Sequence, residues 1–452
     1  MVTTRITGIG NTVGMPLGTV GLRRSTQKGS VYAPLAAWLA LIGLILPAWE
    51  ITIYIAGAKF TAGRMGVAIL FIPALAVLCQ SGRRLVISDL FAFATAAWIM
   101  VAAIATGGAS SLSSAGAESL EFIASYVTAR AFFATQSGLD SFVRALRALT
   151  ILAVILAAAD LATGRWISHN IAASIFGTYP LTPVFRGDTI RATSTFDHPI
   201  LFGVFCGLVA AILVFWETNG LRRAFYVGIC FIGCILSQSS AALMCFVIVL
   251  SAYAYERMMR QVPSRWTLFW SVTGSLFAFL FVLSNNPMGW IISHLTLDPD
   301  TGYYRLLIWN AAVDRISQSP LTGYAIELFN LQILDATVDS IWLVMALRFG
   351  IPTIAFLLLA NVTACLPVKT PRTRNAANSY THRMRLAFTL VLLMFMFTGL
   401  TVHFWNYMWI FWGLCLGIRA SLREEQHASA VIERRRRRQA ASPEHVRLSD
   451  TR

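Results

Sequence analysis

Lysine is nearly missing from this chain: Lys28, Lys59 and Lys369 are its only three lysines in 452 residues. Acidic residues are also few, with 21 Asp+Glu against 36 Lys+Arg, and charged residues of both signs make up 13%. A soluble globular domain carries about 25%. The hydrophobic fraction is 56% and the mean hydropathy is +0.64. This shortage of charge excludes a soluble protein and implies a polytopic membrane protein. No Gly-rich nucleotide loop of the Walker type is found, which argues against ATP hydrolysis by the chain. No apolar segment precedes Val31, so no cleavable signal peptide is expected. No internal repeat is visible. The seven cysteines all fall in apolar runs, where a thiol packs as a small hydrophobe. Cys230 and Cys234 share a helix face, but no His or carboxylate joins them in that run, so no metal site is expected there.

The net charge is +15. It sits largely in segments that the positive-inside rule assigns to the cytoplasm, so it reports topology and attraction to anionic headgroups, not nucleic acid. The hydropathy pattern predicts an all-α fold with about twelve transmembrane helices. Residues 1–30 read as a cytoplasmic tail, 31–418 as the membrane domain, and 419–452 as a second basic cytoplasmic tail holding the run Arg434–Arg438. The spans are expected near 31–55, 65–78, 87–105, 119–135, 149–161, 199–216, 268–283, 340–366, 386–400 and 407–418. The run Phe225–Tyr255 is basic at both ends and too long for one crossing. It is expected to fold as a hairpin turning at Ser237-Gln-Ser-Ser240. A small loop is expected at 107–116, and a large outer loop at about 285–339. An even number of spans keeps both termini in the cytoplasm.

Arginines on the outer face run against this charge bias and need a reason. Two stand out. Arg191 lies in Arg191-Ala-Thr-Ser-Thr-Phe-Asp197-His198-Pro199, with Arg186 just before it. Arg305 lies in Thr301-Gly-Tyr-Tyr-Arg305-Leu-Leu-Ile-Trp309, followed by Pro320-Leu-Thr-Gly323. A guanidinium presents a planar fork of donors that suits a phosphate or pyrophosphate. It pairs equally well with a loop carboxylate: Asp188 or Asp197 for Arg191, Asp298 or Asp300 for Arg305. His198 reads as a base or as a loop-capping group. Asp339, beside Ser340 at a span entrance, reads as an acceptor for a sugar hydroxyl proton or as a helix N-cap. His403 with Trp405 reads as an interfacial aromatic girdle. Ionisable residues at membrane depth (Glu50, Asp89, Glu121, Arg130, Asp160) are costly and imply pairing or function; Arg130 is close enough to a span end to snorkel. Such charges also fit a polysaccharide or lipid transporter, although the paired halves typical of transporters are not seen.

Taken in order, these features resemble the O-antigen ligase and O-antigen/exopolysaccharide polymerase superfamily. The resemblance rests on the arginine segment ending in a His-Pro span entrance, the long outer loop with Arg305-x-x-x-Trp309 and Pro320–Gly323, and the polar pair before the helix that breaks at Gly350. It covers about 191–350. It implies an integral membrane glycosyltransferase of the bacterial inner membrane, acting at the periplasmic face without metal or other cofactor. The donor would be a glycan on undecaprenyl pyrophosphate. Arg191 and Arg305 would neutralise the leaving pyrophosphate, Asp339 would be the base, and His198, Arg186 and Trp309 would contact substrate. Implied partners are membrane lipids, a flippase and a chain-length regulator. Two departures are visible. Ligases of this superfamily usually carry a histidine where this chain has Asp339-Ser340, which favours a polymerase over a ligase acting on lipid A–core or protein. The superfamily's Ser-x-Ser-Arg motif lacks its arginine at Ser237-Gln-Ser-Ser240.

Overall fold

Apolar runs of this length satisfy their backbone groups in lipid only as helices or closed barrels. In the computed structural model they form helices. The structure describes residues 31–55, 57–80, 83–262, 264–283, 299–325, 338–368 and 379–440. The expected tail 1–30, the residues after 440, and much of the expected large loop lie outside these.

The first half runs from α1 (Val31–Leu44) through a short hairpin to α2 (Ala62–Gln80), α3 (Ile87–Gly107), α4 (Leu112–Phe132), α5 (Gln136–Thr163) and α6 (Ile167–Phe176). The hairpin pairs β1 (Thr52–Ile55) antiparallel with β2 (Ala58–Thr61), Thr52 opposite Thr61. A smaller hairpin, β3 (Phe185–Arg186) with β4 (Thr189–Ile190), follows. Then come α7 (Pro199–Trp216), α8 (Gly220–Leu236), α9 (Ser240–Met258) and α10 (Arg265–Leu283). The last group is α11 (Pro299–Gln318), α12 (Ile341–Phe349), α13 (Ile351–Cys365), α14 (Tyr380–Thr398) and α15 (Tyr407–Ala440).

Among the described residues, five helical runs are long and apolar enough to cross a membrane: Ala62–Cys79, Ile87–Phe132, Gln136–Thr163, Pro199–Trp216 and Ser240–Met258. The second run spans α3 and α4. The loop expected at 107–116 is there reduced to a single 3-10 turn, Gly108–Ser111. Helix α5 begins at Gln136, well before the expected 149: Thr135 caps it by accepting from the Gly138 N–H at 3.2 Å, and Arg147 lies within the helix, stacked over the Trp216 and Tyr226 rings at 5.4 and 4.6 Å. The hairpin turn between α8 and α9 falls at Ser237-Gln238-Ser239.

Helix α7 is the buried centre, with Leu201 through Phe215 packed on every side. Close helix contact elsewhere depends on missing side chains. Gly413 and Gly417, four apart on α15, lie against Phe122, Ser125 and Tyr126 of α4, where a Cβ would collide with backbone. Several of the buried charges are consumed by pairing. Arg64 bonds Glu121 at 2.8 Å. Arg130 is 3% exposed and bridges Asp89 at 2.9 Å and Glu424 at 2.7 Å. It therefore does not snorkel: its carboxylate partners lie on α3 and α15 inside the bundle, and they hold it there.

Candidate functional site

The site is built on two chain segments and the turn between them. The first is 191–198, which several buried groups hold in shape. Asp160 closes α5 by accepting from three backbone N–H groups: Ile167 at 2.9 Å, Thr193 at 3.3 Å and Ser194 at 2.9 Å. Ser194 sits at φ 59°, a conformation costly for a residue with a Cβ, and the Asp160 bond holds it there. His169 donates from Nε2 to the Phe196 carbonyl at 3.1 Å and faces Glu50 through Nδ1 at 2.8 Å. Thr195 donates to the Leu44 carbonyl at 2.6 Å, and Trp166 Nε1 to the Arg191 carbonyl at 2.8 Å.

On this rigid segment Arg191 donates from Nε to the Ser237 carbonyl at 3.1 Å, while Arg186 donates to the Gln238 carbonyl at 2.7 Å. Both arginines thus reach the carboxyl end of α8, the negative pole of its dipole. They meet the turn Ser237-Gln238-Ser239 between α8 and α9. The expected carboxylate partners are not used: no ion pair to Arg191 is formed among the described residues. Burial, and then the neighbouring Arg186, pull the Arg191 pKa down. Burial and Arg191 together lower His198 to about 4. Among the described residues no ion pair balances this positive field. His198 also accepts from the Ile200 N–H at 3.2 Å, so the capping role is real.

The second segment joins α11 to α12. Arg305 and Trp309 lie on a helix, not in an open loop. Ile308, Ala312 and Ile316, at helical spacing, pack with Val338, Leu343, Val344 and Leu347, and Trp309 lies against this cluster. Pro320–Gly323 is the clasp. The Tyr324 and Ala325 N–H groups donate to the Leu347 and Arg348 carbonyls at 2.7 and 2.9 Å, and Ile351 N–H donates to the Pro320 carbonyl at 2.8 Å. Gly350, at φ 80°, lets the chain break between α12 and α13 against the Leu321 backbone, where a Cβ would collide. The clasp holds α11 against α12 through this cluster, and the Arg305 charge acts on Asp339. Burial raises the Asp339 carboxyl, and the Arg305 charge works against that rise. The N-cap reading fails for the side chain: Ser340 occupies the N-cap without capping and donates to the Gly399 carbonyl at 3.0 Å. Asp298 and the Asp300 side chain lie outside what is described.

The turn between α14 and α15 joins the two segments. Ile341 N–H donates to the carbonyls of Gly399 and Val402, at 3.1 and 3.2 Å. A few residues on, Trp405 Nε1 donates to Asp197 at 3.2 Å and the Asn406 amide donates to the same carboxylate oxygen. Asp197 Oδ1 is buried without a partner among the described residues, and burial raises the carboxyl. The Trp405 ring lies between two histidines, 5.1 Å from His403 and 6.5 Å from His198. Burial, then Arg348, lowers His403 to about 3. His403 and Trp405, expected as an interfacial girdle, are half-buried, and Trp405 also reaches Asp197. Their polar turn is legible in the sequence, but its partners are not.

Chemically, the arrangement offers an unneutralised arginine pair beside a neutral histidine, and a carboxylate beside a second arginine, at one end of the bundle. Arg191 and Arg305 are linked through the turn but do not touch each other. Among the described residues no group of His, Cys, Asp and Glu could hold a metal ion. No protein-family model and no curated protein matches the chain.

Proposed function

We propose that the protein is a polymerase of exopolysaccharide or O-antigen repeat units, working at the outer face of a bacterial inner membrane with about twelve spans and both termini in the cytoplasm. The sugar hydroxyl of one lipid-linked unit attacks the anomeric carbon of another. The new glycosidic C–O bond forms as the bond to undecaprenyl pyrophosphate breaks, and the leaving group keeps the electron pair. Arg191 and Arg305 balance its charge, with Arg186 reinforcing the first. Asp339 takes the hydroxyl proton; burial raises its carboxyl, which makes the ionised form a stronger proton acceptor, and the Arg305 charge works against that rise. His198, neutral because of burial and Arg191, is suited to hydrogen-bond a sugar without repelling the arginines. Trp309, packed on the α11–α12 cluster, serves chiefly to hold Arg305 in place.

The observation that carries this reading is that the Arg305 charge acts on Asp339, whose helix is joined through one turn to the Arg191–His198 segment. The transporter reading loses its main support here. Arg130 and Asp89 are bonded to each other, Arg64 holds Glu121, His169 holds Glu50, and Asp160 caps backbone. The test is deletion of the gene with complementation by wild type, Arg305→Ala or Arg305→Lys, reading glycan length on a gel. Single repeat units after deletion, not restored by either variant at normal expression, support the polymerase. Long chains that stay on the lipid carrier indicate the ligase. A normal pattern with Arg305→Ala removes the assignment.

A further inference from the structure

At the opposite, arginine-rich end of the bundle lies a cavity of about 500 Å³ between α9, α10, α14 and α15. Its wall of Phe215, Trp270, Leu390 and Leu393 is apolar, and its polar margin carries Arg385, Arg419 and Gln426; no carboxylate lines it. Arg419 is 4% exposed, and its neighbour Arg423 is 7% exposed. Neither has an ion pair among the described residues. Arg419 donates from Nε to Thr389 at 2.7 Å and from Nη2 to the Cys365 carbonyl at 3.2 Å, but Nη1 has no partner among the described residues. Arg423 bonds the Thr363 carbonyl and leaves Nε without a partner among the described residues. At the margin, Arg385 reaches His382 Nδ1 at 3.1 Å and is partly balanced by Glu425. Two buried guanidinium groups without an anion are costly, and the described residues supply them with neutral carbonyls and a hydroxyl only.

We infer that this cavity binds an anionic phospholipid, its phosphate on Arg419 and Arg385 and an acyl chain along the apolar wall beside Trp270. The charge demands an anion. The combination with an open apolar wall favours a lipid over a soluble phosphate. Helix α10 exposes Trp270, Val272, Leu276 and Phe279 along its length, so a bound lipid would fill the gap between it and the bundle. The site does not depend on the transfer reaction, whose residues lie at the other end.

The test uses the full chain purified in detergent, with native mass spectrometry. The probes are phosphatidylglycerol, phosphatidylcholine with the same acyl chains, and inorganic phosphate. Phosphatidylglycerol is expected to be retained about tenfold over phosphatidylcholine, and Arg385→Gln or Arg419→Gln each to reduce that preference about fivefold. Arg385 is half-buried at the margin, so its variant decides if Arg419→Gln fails to fold. Brominated phosphatidylglycerol should quench tryptophan fluorescence, and Trp270→Phe should diminish the effect. Equal retention of the two lipids, an unchanged preference in folded Arg385→Gln, or displacement of the lipid by millimolar inorganic phosphate would each overturn the inference.

Discussion

The Arg191 guanidinium donates from Nε to the backbone carbonyl of Ser237 at 3.1 Å, and this contact fixes the direction of its fork. One donor is used for orientation. The terminal nitrogens are then free to meet an anion, and Arg186 alongside makes that anion more welcome. A lysine has three donors on one nitrogen but no planar fork, so it cannot anchor to the carbonyl through one nitrogen and present parallel N–H groups to an anion from others. Arg191→Lys should therefore lower polymer formation about 100-fold, the scale for losing one oriented donor to a developing charge. The complementation gel reads this, with membrane abundance as control. Chain length restored by the lysine would make charge alone sufficient.

Asp339 and Arg305 should behave as a unit in activity and as bystanders in folding. Asp339→Asn removes the proton acceptor while keeping the shape, and a loss of roughly 10²–10⁴ in rate is expected if the carboxylate is the base. Thermal unfolding in detergent should move little, since the described contacts at this position come from Ser340 and Ile341. A variant that unfolds as it loses activity would mark Asp339 as structural.

Asp160 predicts the reverse. Its carboxylate accepts from Ile167, Thr193 and Ser194 N–H groups and sets the 191–198 segment. Asp160→Ala leaves buried donors unpaired, at about 1–3 kcal/mol for each such group. Calorimetric or fluorescence unfolding should show a clear loss of stability, and activity should fall with it. An unchanged midpoint would mean that water replaces the carboxylate.

These roles divide by how far each was legible in the chain. Helix positions follow from local hydropathy: α7 at Pro199–Trp216 and the turn at Ser237–Ser239 are legible because a proline, a polar cluster and flanking arginines punctuate them. The extension of α5 back to Gln136 was not, since Arg147 reads as a helix end until its aromatic partners on α7 and α8 are known. Pro320–Gly323 was visible as a motif, but its work as a clasp on Leu347, Arg348 and Ile351 depends on contacts that sequence order does not carry. The same holds for Trp405 and Asn406, whose partner Asp197 is some two hundred residues away.

The pair Arg64–Glu121 tests what buried charge contributes to the fold. The two are joined at 2.8 Å, with Arg64 8% and Glu121 2% exposed. Removing either partner strands the other, at about 3–5 kcal/mol. Replacing both, as Arg64→Met with Glu121→Gln, should cost less than the sum of the single changes. Unfolding of the four proteins gives the coupling directly. Additive losses would mean that the pair does not interact in the folded protein.

Stability should also depend on pH through the two site histidines. His198 is lowered to about 4 and His403 to about 3, against about 6.5 in an unfolded chain. Between those values the unfolded chain binds protons that the folded chain refuses, so stability rises with pH there. As pH falls from about 6.5 towards 4, stability should therefore decline, then level off once the folded histidines also titrate. Burial raises Asp197 and Asp339, and those carboxyls work in the opposite sense. In their case the folded chain holds the extra proton just above the ordinary carboxylate range, which blunts the decline at its acid end. The decline between pH 6.5 and 5 should thus belong to the histidines, and replacing both with asparagine should flatten it. A double variant that keeps the full slope would assign it to other groups and remove the case for a neutral His198 in the site.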